Sequence, residues 1–136
     1  MLIRKEKGDE SMHIELFDDK VLLRTKTTTY SICKSEILYV ENNLKKLLVH
    51  TTTDCIELYG SMKEMEHMLG KTFFRCHRGY LVGFAHIQSY QTNQITLENG
   101  EQLLLSKERY REFDSSYAEY LRQGMKEWLV LYFNWI

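Results

Sequence analysis

The stretch FFRCHRGYLVG, Phe73 to Gly83, concentrates groups that can do chemistry. Arg75, Cys76, His77 and Arg78 are consecutive, with Phe73, Phe74 and Tyr80 around them and no acid among them. Such a set could supply a nucleophilic pair, a metal ligand, or cations for phosphates and base edges. A nucleophile needs a base within hydrogen-bond reach. FFRCH reads as a strand, where neighbouring side chains point to opposite faces, so Cys76 and His77 cannot form a dyad with each other. His50, His77 and His86 could meet only through folding, because no HxH, HExxH or CxxC spacing proposes a metal site. No Gly-rich phosphate loop is present. The chain is therefore expected not to be an enzyme, and no cofactor or metal is expected. Cys76 reads as a small buried residue, the other reading being a contact or redox-sensitive thiol. For His77 three readings stand: a histidine hydrogen-bonded inside the fold, a phosphate or base contact, and a metal or catalytic group.

Charge distribution is more informative. Lys71 to Tyr90 carries Lys71, Arg75 and Arg78 and no acid. Asn42 to Lys46 adds Asn42, Asn43, Lys45 and Lys46, again without an acid. Ser106 to Arg111 sets Lys107, Arg109 and Arg111 against Glu108 alone. Asp54 to Glu66 is the reverse, with Asp54, Glu57, Glu64 and Glu66 against Lys63. The net charge of −1 excludes a general polycation but not a local patch. If folding gathers the three basic stretches on one rim, they match phosphates, and the amides can reach base edges. The bland reading is that they are solvated loop residues.

The elements that must position these groups are mostly strands. A chain of 136 residues is one domain, and 43% apolar residues suffice for a core. Proline is absent, and no repeat, linker or low-complexity segment interrupts the chain after the opening dozen residues. HIELF, VLLRT, TTTYSIC, EILYVE, LLVHTTT, CIELYG, FFRCH, YLVGF, HIQSYQ and QITLENGEQLLLS read as short strands. NNLKK reads as a polar loop, and Asn99-Gly100 is the strongest hairpin signal. SMKEMEHMLG predicts a short helix with a capping box from Ser61 to Glu64. Its Met62, Met65, Met68 and Leu69 form one apolar face, read as core filler. KERYREFDSSYAEYLRQG reads as helix, with Tyr110, Phe113 and Tyr117 at helical spacing. The density of strands predicts a β-dominated sandwich. The opening residues have no apolar core of a signal peptide, and no run approaches the roughly 20 apolar residues of a membrane helix. Three widely spaced cysteines support no disulfide framework, which fits a reduced, cytoplasmic setting.

FFRCHRGYLVGFAHIQSY followed by ITLENGEQLLLSKERYREF resembles the LytTR family of bacterial DNA-binding domains. Phe74, Arg75 and His77 match its F-x-R-x-H motif. Tyr80, Leu81, Val82 and Ile87 match the aromatic, the apolar strand and the isoleucine that follow. Asn99, Gly100, Ser106 and Lys107 match the N-G turn and the strand ending in serine and basic residues. EILYVEN and CIELYGSMKEMEHML resemble its upstream strand and helix. The likeness spans about Met12 to Leu121. It departs at Arg78, where the family often has asparagine or lysine, at Gly79 for serine, at Gly83 for asparagine, and at Glu108 for a second basic residue.

The resemblance implies a mainly β fold: an elongated sandwich of about ten short strands in three sheets, with one or two short helices. It implies loops entering successive major grooves of double-stranded DNA at paired direct repeats. The partners implied are that DNA, a second copy of the chain on it, and an upstream sensor kinase if a receiver domain stands elsewhere in a longer chain. The site residues are Asn42, Asn43, Lys45, Lys46, Arg75, His77, Arg78, Ser106, Lys107 and Arg109. Arg78 is expected to read a base, and Lys45, Lys46 and Lys107 to hold the backbone. The expected organisation is a charged, linker-like segment 1–11, the DNA-binding domain 12–122 and an apolar tail 123–136. The tail EWLVLYFNWI could pad the sandwich, join two subunits or lie at a membrane surface; self-packing or dimerisation is the favoured pair. The rival function is a protein-interaction module of the same fold whose DNA binding is weak or lost.

Overall fold

The computed structural model describes residues 14–135. The segment 1–11, Met12 and His13 at the expected start of the first strand, and Ile136 lie outside the described residues. Strands β1 (Ile14–Phe17), β2 (Lys20–Arg24) and β3 (Thr29–Cys33) form an antiparallel meander. Then come β4 (Ile37–Asn43), β5 (Lys46–Thr51), β6 (Cys55–Tyr59), helix α1 (Met62–Leu69), β7 (Phe73–His77) and β8 (Tyr80–Gly83). These five strands make a central sheet in the order β6-β5-β4-β8-β7. A second meander, β9 (Ile87–Gln91), β10 (Gln94–Leu97) and β11 (Gln102–Leu104), precedes helix α2 (Tyr110–Trp135). The fold is thus mainly β, as the strand density predicts, and in three sheets, as the resemblance implies.

The sequence builds the central sheet for burial on both faces. The ILYV run of β4 is buried throughout, where a half-exposed strand would alternate. Ile37 and Val40 join a cluster with Val21 and Leu23 of β2, Leu47 and Val49 of β5, and Ile56 and Leu58 of β6. Met62, Met65 and Leu69 of α1 complete it, with Met68 packed partly against it. A register shift between Ile37 and Tyr39 sends both Leu38 and Tyr39 to the opposite cluster. There Phe74, Cys76, Val82 and Phe84 meet Ile95, Leu97 and Leu103 of the second meander and Phe113 of α2.

Local signals act largely as expected. Ser61 caps α1: its Oγ accepts the Glu64 N–H at 3.2 Å and its hydroxyl donates to Glu64 Oε1 at 2.9 Å. The Glu64 carboxylate therefore takes the cap hydroxyl, where a full capping box would send it to the Ser61 backbone. At Asn99-Gly100 the Gly100 N–H donates to the Leu97 carbonyl at 2.9 Å, and Leu97 N–H to Glu101 at 2.9 Å. Gly100 has φ +92, so it closes a three-residue hairpin loop in a conformation that disfavours a side chain. One expectation fails. NNLKK is not a polar loop: Asn42 and Asn43 pair with Leu47 and Lys46, leaving a two-residue tip at Leu44-Lys45.

Gly83 stands where backbones nearly touch. A Cβ there would lie 2.7 Å from the Ile37 carbonyl oxygen and 2.9 Å from Phe73 Cε2. Gly83→Ala is expected to cost about 1–3 kcal/mol, because a buried backbone must shift. The denaturant midpoint reads this directly, and an unchanged midpoint would mean the contact yields freely.

Helix α2 runs without a break across position 123, where the apolar tail begins in the sequence. Its first turns pack on the sandwich through Phe113, which is fully buried, with Tyr117 and Tyr120 beside it. Tyr90 Oη donates to Asp114 Oδ1 at 2.6 Å and ties the helix to β9. Burial, then that hydrogen bond, push the Tyr90 phenol up to about 12. No helix among the described residues is long and apolar enough to cross a membrane.

Candidate nucleic-acid interface

Strand order places the candidate residues. β4 ends where β8 begins, with Glu41 opposite Tyr80, so the β4–β5 tip and the β7–β8 turn lie at one end of the central sheet. The Asn42 N–H donates to the Gly79 carbonyl at 2.9 Å, joining the two turns directly. On the other flank the Ser106 N–H donates to the Cys76 carbonyl at 2.8 Å. That bond lays the Ser106–Arg109 segment along the end of β7. Three basic stretches far apart in sequence therefore share one rim. Neighbouring strands are about 4.8 Å apart, so the centres of the two hairpins lie roughly 10 Å apart.

The β7–β8 turn is braced by the Arg75 and His77 side chains of the F-x-R-x-H stretch. Arg75 donates from Nη2 to the Arg78 carbonyl at 2.6 Å and from Nε to the His77 carbonyl at 3.3 Å. His77 Nδ1 accepts the Gly79 N–H at 3.0 Å, which leaves its proton on Nε2. Arg75 and His77 thus spend hydrogen bonds on shaping the turn. His77 is half-buried at that turn, not enclosed in the sandwich. Arg78 projects from the turn, exposed, with no side-chain hydrogen bond or ion pair among the described residues. Cys76 is fully buried, sits at a register shift of β7, and contacts the Tyr80 carbonyl at 3.7 Å. Burial pushes its thiol up to about 12, so it is inert at neutral pH.

The other cations are less alike than the sequence suggests. Lys46 Nζ lies 2.9 Å from Glu57 Oε1 and 5.4 Å from the centre of the Tyr59 ring. The Glu57 carboxylate accounts first for the rise of the Lys46 amine above the usual lysine range. Arg109 lays its guanidinium 4.6 Å over Phe74 and meets Glu112 at 3.3 Å, so it belongs partly to the core. Among the described residues its Nε is a buried nitrogen without a hydrogen-bond partner. Lys107 is exposed beside Glu108. Glu41, next to Asn42, is engaged from behind: His50 Nε2 donates to it at 3.0 Å while the His50 ring stacks on Tyr39 at 4.2 Å. Burial, then a 2.8 Å hydrogen bond to Glu101, raise the Tyr39 phenol far above its usual range.

Sequence reasoning passed over two groups here. Glu57 belongs to the acidic stretch, yet hairpin register sets it diagonally across from Lys46. Leu44, at the β4–β5 tip, is 93% exposed with φ +62. Nothing in its residue type marks it. Among the described residues, no group of three or more His, Cys, Asp or Glu side chains is placed to hold a metal ion.

Three sheets, with basic segments gathered at one end of the central sheet, match the architecture of a DNA-binding domain of the LytTR type. The family model for the LytTr DNA-binding domain matches residues 26–117, and the chain belongs to that family. It is a family of DNA-binding, transcription-regulating domains, not of enzymes. Among solved structures, the chain is similar to the LytTr DNA-binding domain of a Bacillus cereus protein described as a methyl-accepting/DNA response regulator. The match has a TM-score of 0.59 and 26% identity, covering 79% of this chain and 96% of that one. No curated protein sequence matches the chain.

Proposed function

We propose that this domain binds double-stranded DNA sequence-specifically, by inserting the β4–β5 tip and the β7–β8 turn into major grooves. The supporting observation is the pair of main-chain bonds, Asn42 to Gly79 and Ser106 to Cys76, that aligns three basic turns. Turns aligned at this spacing suit the phosphates and groove floor of one duplex face. Arg78 reads a base, Lys45, Lys46 and Lys107 hold phosphates, and Asn42 and Asn43 reach base edges. Arg75, His77 and Ser106 act by holding the turns in place, and Arg109 supports its segment through Phe74. The domain serves as a cytoplasmic regulator in a bacterium, on paired direct repeats, with a second copy on the DNA. A receiver domain elsewhere in a longer chain would add a sensor kinase upstream. The Bacillus cereus relative's description supports that response-regulator setting.

Selection of bound duplexes from a random pool tests the reading. A shared, enriched motif is expected; retention without enrichment would leave only non-specific binding and favour the protein-interaction alternative. On the selected site, Lys107→Ala is expected to flatten the log–log salt dependence by about 1 unit. Lys46→Ala should flatten it less, because Glu57 already neutralises that amine. Equal slopes for wild type and Lys107→Ala would remove Lys107 from the interface.

A further inference from the structure

We infer that Leu44 is a specificity residue, whose side chain packs on the 5-methyl group of a thymine in the groove that the β4–β5 tip enters. The inference rests on the DNA reading of the rim and extends it to a residue that neither charge nor hydrogen bonding would pick out. A single exposed leucine is ordinary on a protein surface. Leu44 is unusual in three respects together. It is 93% exposed, so the protein gives its side chain almost no packing. It has φ +62, a left-handed backbone uncommon for any residue with a side chain. It is also the first of two tip residues in a hairpin, where a positive φ is ordinarily met by glycine or asparagine.

The turn alone would therefore be better served by glycine, and the exposed surface by a polar group. A leucine at that point presents a fully solvated apolar branch at the tip of the β4–β5 hairpin. In the major groove the one apolar feature on a base edge is the thymine methyl. Asn43 precedes Leu44 and is exposed, and an amide is suited to the adenine N6 and N7 edge. Leucine and asparagine side by side thus suit an A·T pair, while Arg78 on the neighbouring turn suits guanine.

The test uses the selected duplex, with each thymine replaced singly by deoxyuridine, which removes only the methyl group. Affinities are measured for wild type, Leu44→Ala and Leu44→Gly, at low salt so that phosphate contacts keep every variant bound. Wild type is expected to lose about fourfold at one thymine, the effect of burying one methyl group. Both variants should be indifferent to that same replacement. Leu44→Gly should also melt at a higher temperature than wild type, since glycine accepts the turn without strain. Wild type binding every deoxyuridine duplex as tightly as its parent overturns the inference, and so does Leu44→Ala keeping the wild-type loss. Failure of wild type to select any duplex overturns the DNA reading itself, a different and recognisable outcome that takes this inference with it.

Discussion

Arg78→Ala is expected to fold normally and to lose discrimination at one guanine of the site, by about 1–3 kcal/mol. That corresponds to roughly 5- to 150-fold in the ratio of affinities for matched and mutated duplexes. The side chain is exposed and unpartnered among the described residues, so its removal leaves no buried group unsatisfied. The turn beneath it is fixed independently, because Arg75 grips the Arg78 carbonyl at 2.6 Å. Backbone geometry thus survives while the fork that can grip guanine O6 and N7 is lost. Arg78→Lys sharpens the test: it keeps the charge but not the bidentate fork, so salt dependence should persist while discrimination falls. An equal loss of affinity on all sequences in Arg78→Ala would make Arg78 a phosphate contact.

Phe113→Ala is expected to be the most destabilising of these substitutions, by about 3–5 kcal/mol. Phe113 is fully buried and meets Tyr90 edge-on at 4.9 Å, Phe74 at 5.4 Å and Phe84 at 6.0 Å. Truncation leaves a cavity among rings that cannot all move inward, since each is anchored on a different element. The effect should reach the rim. Phe74, which loses its edge contact, is also the ring under the Arg109 guanidinium. The Ser106–Arg109 segment should loosen, and DNA affinity should fall even where the variant remains folded. Denaturant unfolding and binding on one sample separate the two effects. A loss under about 1 kcal/mol would mean α2 is not integral to the sandwich.

Acid should weaken one link between the layers. Glu101 is held below the usual carboxylate range, chiefly by the Tyr39 hydroxyl. A lowered folded-state value gives stability that is present above the ordinary carboxylate range and lost as pH falls through the lowered one.

Much of the fold was legible because burial leaves a local imprint. Leu47 and Val49, or Ile56 and Leu58, alternate along their strands and face one cluster. The methionines of α1 recur at helical spacing and pack as filler, as expected. The N-G turn needed only its own two residues to be recognised. NNLKK misled because residue type was weighed without partners. Its asparagines have strand partners, and the Asn42 N–H finds the Gly79 carbonyl. Polar residues at a sheet end look like loop until those partners are known.

The sequence by itself determined which residues are cationic, where most of the strands lie, and which family the pattern resembles. Only the tertiary structure decided which of those cations stand together and which are already taken. Adjacency across a sheet depends on register, and register is fixed by distant main-chain bonds and by two cores filling at once. That is why Lys46 acquires Glu57, Arg109 acquires Phe74, and Arg78 is left facing outward.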